Sequence, residues 1–119
     1  FCKSKLNQNG KIIILTLDPY KNEIPTFSLM EKHLKISFKR DKRIIKLISK
    51  LYSKRIIKKF IFSVKIRKKK YLEMIKSRYI STLLKFSSKE ISKGVAEINL
   101  KYKKVLKFKD KLQCIIVKK

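Results

Sequence analysis

The chain has to fold around its own charge. Of its 119 residues, 34 are Lys or Arg and eight are Asp or Glu, a formal excess of +26. A small domain with that excess repels itself, and a polyanion that supplies counter-charge is the first expectation. The apolar fraction is 44%, which separates the chain from a disordered basic tail, poor in Ile, Leu and Phe. Its length suits one small domain. No stretch approaches the roughly 18 uncharged apolar residues of a membrane-spanning helix, so no membrane span is expected.

The bias inside the composition speaks of origin. There are 29 Lys and five Arg, 18 Ile, one Ala (Ala96), two Gly (Gly10, Gly94) and two Pro (Pro19, Pro25). Lys and Ile have AT-rich codons, whereas Ala, Gly and Pro have GC-rich ones, so the expected source is an AT-rich genome such as that of an organelle. Phe1 stands where a Met would, so either a leader has been removed or the start lies upstream. Cys2 and Cys114 sit at opposite ends, in neither a disulfide framework nor a zinc pattern. Cys114 lies in an apolar run and is expected to pack as a small hydrophobe.

The period of the apolar residues gives an order of elements. Residues 1–10 are polar and read as a loose entry segment. Lys11 to Leu17 is a run of Ile, Leu and Thr closed by Asp18 and Pro19, which predicts a buried strand. Ser28-x-x-Glu31 is a capping-box pattern. Behind it Phe27, Met30, Leu34, Phe38, Ile45, Ile48 and Tyr52 predict a helix over about 28–55, with a break possible near Arg40 and Asp41. Phe60, Phe62, Val64 and Ile66 alternate with Ile61, Ser63 and Lys65 and predict a second strand over 56–66. Arg67 to Lys70 reads as a basic turn. Residues 71–76 are apolar-rich and of open assignment, and Tyr79 to Phe86 is read as a third strand. Ser87-x-x-Glu90 is a second capping box. Ile91, Val95, Ile98, Tyr102 and Val105 then predict an amphipathic helix over about 89–106. Gly94 inside that helix costs about 1 kcal/mol against Ala. Leu112 to Val117 is a last strand.

The expected fold class is therefore α+β. The order is β-α-β-β-α-β, that of a ferredoxin-like domain spanning 11–119, with a four-stranded antiparallel sheet and two helices on one face. The other sheet face is left for a partner, RNA or solvent.

With that order in place, Tyr79-Ile-Ser-Thr-Leu-Leu-Lys-Phe86, Ser-Ser-Lys-Glu-Ile91, the helix behind them and Leu106 through Lys119 resemble the bacterial-type small-subunit ribosomal protein six family. An apolar strand ending in Pro (Ile12 to Pro19) and a basic segment before the third strand (Arg67 to Lys76) match that family's plan. The chain departs from it in lacking a Gly before the basic segment and in carrying Gln113 where the family has Arg. The resemblance implies a ferredoxin-like protein in the platform of the small subunit, contacting ribosomal RNA and pairing with small-subunit protein eighteen.

Sequence features for catalysis are thin, and no enzyme is expected. His33 is the only histidine, and a lone His in a basic helix reads as a partly exposed helix residue. Asp41, Glu73 and Asp110 have no spacing that suggests an acid/base pair. The carboxylates and two cysteines are too scattered for a metal site, and no Gly-rich phosphate loop exists. No cofactor is expected.

The functional signal lies in the basic residues. Arg67, Lys68, Lys69, Lys70, Lys76 and Arg78 are the expected RNA contacts, with Arg40, Lys42 and Arg43 as a second cluster. Lys predominance favours point contact with phosphates over reading of bases. The aromatics sit mostly on apolar stripes and read as core. These features predict a structural constituent of an organellar small ribosomal subunit, mitochondrial or plastid. It would bind ribosomal RNA and pack against neighbouring ribosomal proteins. The alternatives are an organellar ribosomal protein of another family, or a basic RNA-processing or membrane-surface accessory factor.

Overall fold

A computed structural model describes residues Cys2–Lys118, so Phe1 and Lys119, the ends of the entry segment and of the last strand, lie outside the described residues. The elements are β1 (Lys11–Leu17), α1 (Ser28–Leu51), β2 (Arg55–Arg67), α2 (Lys68–Lys76), α3 (Ser88–Lys101) and β3 (Val105–Lys118), with short 3-10 helices at Cys2–Lys5 and Ser81–Lys85. The class is α+β, as expected. The described residues form a three-stranded antiparallel sheet in the order β1-β3-β2, in place of the four strands expected. No helix among them is long and apolar enough to cross a membrane.

The fourth strand is missing for a local reason. Tyr79 to Phe86 buries Thr82, Leu83 and Phe86, and the spacing of three from Leu83 to Phe86 belongs to a 3-10 turn, not to a pleat. Arg78 enters the segment at φ 54°, a left-handed conformation uncommon for a residue with a side chain. Its guanidinium Nη1 donates to the carbonyls of Leu83 (2.6 Å) and Phe86 (2.5 Å). Those bonds curl the backbone and occupy acceptors that a ladder would need.

Other boundaries also move. Arg67 to Lys70 is not a turn: Arg67 ends β2 and Lys68 opens α2. Residues 71–76 are helical, burying Tyr71 and Ile75 four apart on one face. α1 runs unbroken through Arg40 and Asp41. α3 stops at Lys101 and Tyr102 is its extended C-cap (ψ 150°), so the helical spacing that carried on to Val105 was accidental. β3 starts at Val105, well before the expected start at Leu112, so that Asp110 stands within it.

Of the two capping boxes one forms. Ser87 Oγ accepts from the Glu90 amide (3.1 Å) and the Glu90 carboxylate accepts from the Ser87 amide (2.9 Å). At the start of α1 the pattern is spent otherwise. The Ser28 amide (2.6 Å) and hydroxyl both donate to the carboxylate of Glu97 on α3, while Glu31 pairs with Lys35 one turn on (2.7 Å). A tertiary acceptor displaces the local one.

The chain divides into two compact units, 1–22 with 38–62 and 111–119, and 23–37 with 63–110. In the first, β1 and β3 pair antiparallel from Lys11 opposite Lys118 to Leu17 opposite Leu112. Ile45 of α1 packs with Ile115 and Val117, and Ile12, Ile14, Ile48 and Tyr52 close round them. Cys114 is buried and a free thiol, as its apolar surroundings predicted.

In the second unit α2 packs on α3, and Phe27, Met30, Leu34, Tyr71, Ile75, Leu83, Phe86, Ile91, Ile98 and Leu106 are buried. The Phe27 and Phe86 rings meet edge to face at 5.8 Å, and His33 meets Phe86 at 5.0 Å. The Tyr71 hydroxyl donates to the Pro25 carbonyl (2.6 Å) and lies 3.1 Å from the Tyr79 hydroxyl. Burial pushes the Tyr71 and Tyr79 phenols above their usual value.

Gly94 is required by this packing. A Cβ there would lie 2.6–2.7 Å from carbons of the Phe27 ring. Helix propensity alone says that Gly94→Ala stabilises by about 1 kcal/mol. The seated ring reverses the sign, and overpacking should cost about 1–3 kcal/mol, read as a lower midpoint in denaturant melts at unchanged slope.

Candidate nucleic-acid interface

The expected contacts on the second unit fall into two kinds, those that hold the fold and those that face outward. Lys68 is of the first kind. Its ammonium donates to the carbonyls of Asn99 (2.7 Å) and Tyr102 (3.0 Å), the carbonyl end of α3 where a cation is favoured. Its amide donates to the Lys104 carbonyl (2.7 Å), which fastens the β2–α2 junction to the start of β3. Arg78 is of the same kind, bound to Leu83 and Phe86 as above.

Arg67, Lys69, Lys70 and Lys76 are exposed. Lys70 lies 3.7 Å from Glu73 in a solvent-facing pair, a contact of little energy. Arg67, Lys68, Lys69, Lys104 and Val105 line a shallow groove. Lys104 was not among the expected contacts, and the helix expected over about 89–106 enclosed it, whereas α3 ends at Lys101. The adjacent Lys103-Lys104 after the apolar stripe was the available signal.

On the first unit, Arg40 pairs with its neighbour Asp41 (3.0 Å), the Lys42 ammonium stands 5.1 Å over the Tyr20 ring, and Arg43 is exposed. Residues 40–43 belong to the first unit and residues 67–78 to the second. Lys59, part of a basic pair outside the expected RNA contacts, reaches the buried Asp18 (3.4 Å).

Six acidic side chains, Asp18, Glu31, Asp41, Glu73, Glu90 and Glu97, are held by partners within the protein. Besides the pairs above, the donors of Ser28 hold Glu97 below the usual carboxylate value, those of Ser87 hold Glu90 below it, and Lys35 does the same for Glu31. Asp18 accepts from the Tyr20 amide (3.0 Å). Eight carboxylates cannot neutralise 34 cations, so most of the positive charge faces outward. No group of three His, Cys, Asp or Glu among the described residues could hold a metal ion.

Comparison with protein-family models, with curated proteins and with solved structures finds no match.

Proposed function

We propose that the chain is an RNA-binding protein that neutralises phosphates with its Lys and Arg side chains. The particular reading is a structural constituent of an organellar small ribosomal subunit, mitochondrial or plastid, packed against neighbouring ribosomal proteins. The observation that carries it is the uncompensated +26 on a folded α+β chain in which Asp18, Glu31, Asp41, Glu90 and Glu97 are already engaged in caps and pairs. α2 adds to it. The helix opens on Lys68-Lys69-Lys70, with no acid in its first turn and no side-chain cap on its amides. Cations at a helix N-terminus are unfavourable, and a phosphate in the adjoining groove relieves both.

The Lys and Ile bias supports an AT-rich organellar genome. The resemblance to small-subunit protein six supports the ribosomal assignment and a ferredoxin-like ancestry through β1, β2 and β3, while the coil at 79–86 departs from that plan. Pairing with small-subunit protein eighteen follows from the same resemblance.

A second reading has one observation in its favour. Ile44, Leu47 and Leu51 are exposed on α1 among lysines, the pattern of a helix lying on an anionic membrane. Fractionation of the tagged chain from its own organelle separates the two. The proposal expects co-sedimentation with small-subunit RNA and release by ribonuclease. Flotation with lipid, indifferent to ribonuclease, would contradict it.

A further inference from the structure

The alternation of β2 gives a signal that its charge does not. Within the first unit Ile56, Lys58, Phe60 and Phe62 fall on one side of the strand, since successive side chains point to opposite faces. Ile57, Lys59 and Ile61 fall on the other, where Lys59 reaches Asp18. Both stripes are exposed, Ile57 (40%) and Ile61 (60%) included, and the first is set apart by its two rings, Phe60 41% and Phe62 52% accessible. β2 is an edge strand of the described sheet. A Phe ring left half open in a small protein is surface that something should cover.

We infer that this stripe is a stacking platform for single-stranded RNA, with unpaired bases on Phe60 and Phe62 and a phosphate on Lys58. The inference rests on the RNA reading above and names the form of RNA met by this face. Charge decides the occupant. The first unit holds 17 Lys or Arg against two Asp, a net +15, and both Asp are paired, Asp18 with Lys59 and Asp41 with Arg40. A protein partner would have to bury that field or bring many carboxylates to it. A nucleic-acid strand brings one charge per nucleotide, together with flat apolar bases that every aromatic face accepts. Two rings two residues apart on a strand stand about 6.6 Å apart, a spacing at which splayed bases stack on sheet-borne aromatics. Duplex RNA, whose bases are already stacked, cannot use them.

The chain has no Trp, so Phe60→Trp installs a unique reporter. Titrated with a single-stranded RNA oligonucleotide, its fluorescence should be quenched; duplex RNA of equal length should bind without quenching. Phe60→Leu with Phe62→Leu, which keeps apolar bulk but removes the rings, should weaken single-strand affinity about 10–100-fold. The slope of log affinity against log salt and the duplex affinity should both stay unchanged. Phe60→Tyr with Phe62→Tyr should retain binding. Unaltered single-strand affinity in the Leu variant would overturn the inference and leave the stripe to a protein partner. Equal loss on duplex would overturn it as well, by showing a general effect on the fold. Failure of the wild-type chain to bind either RNA would instead refute the RNA reading itself.

Discussion

Ile98→Ala should lower the stability of the chain by about 2–5 kcal/mol, whereas Lys101→Ala, three positions on, should change it by no more than about 0.5 kcal/mol. Ile98 is 0% accessible and faces inward with Ile91 and Gly94 from α3. Truncation removes apolar surface and leaves a void in a core of few residues, where little can relax into the space. Lys101 is exposed at the end of the helix, with its ammonium 5.3 Å from the centre of the Tyr102 ring. Denaturant melts of the two variants read the difference directly. Equal effects would show that α3 is not in the register described.

The parts of this fold that were legible in the sequence are those where a local pattern meets no competitor. β1, β2 and the body of α1 follow from runs and periods that packing leaves alone, and the Ser87 box forms because Glu90 has no better partner. β1 is nevertheless covered on only one face, with Ile13 (60%) and Leu15 (68%) exposed, and is not the buried strand its apolar run predicts. The sequence misled where a distant group intervenes. Ser28 satisfies a local box on paper, but Glu97, 69 residues away, supplies the acceptor. Tyr79 to Phe86 is apolar enough for a strand, but Arg78 binds its carbonyls and winds it. Tyr102 and Val105 continue the stripe of α3 numerically, yet the chain leaves the helix where Lys68 caps its carbonyls. The basic residues were legible as a sum and not one by one. Nothing in the run Arg67 to Lys70 reveals that Lys68 is turned inward while its neighbours face solvent, because that depends on where α3 ends. Phe60 and Phe62 read as core from their alternation, since an exposed strand and a buried one share the same period.

The outward cations give the most direct test of phosphate contact. Each Lys or Arg that neutralises a phosphate releases counterions, and contributes about 0.7–0.9 to the slope of log affinity against log salt. Changing Arg67, Lys69, Lys70 and Lys104 to Ser together removes the outward charges of the β2–α2 junction and its groove. Lys68 and Arg78, which hold backbone carbonyls, are left in place so that the fold survives. The measurement is the affinity of the full chain for small-subunit RNA across a salt series, for the wild type and this variant. The wild type should bind with a steep negative slope. The variant should bind more weakly at every salt concentration, with a slope shallower by about 2–4, while its melting temperature stays close to that of the wild type. A folded variant with unchanged slope and affinity, or a wild type whose binding does not respond to salt, would contradict the account.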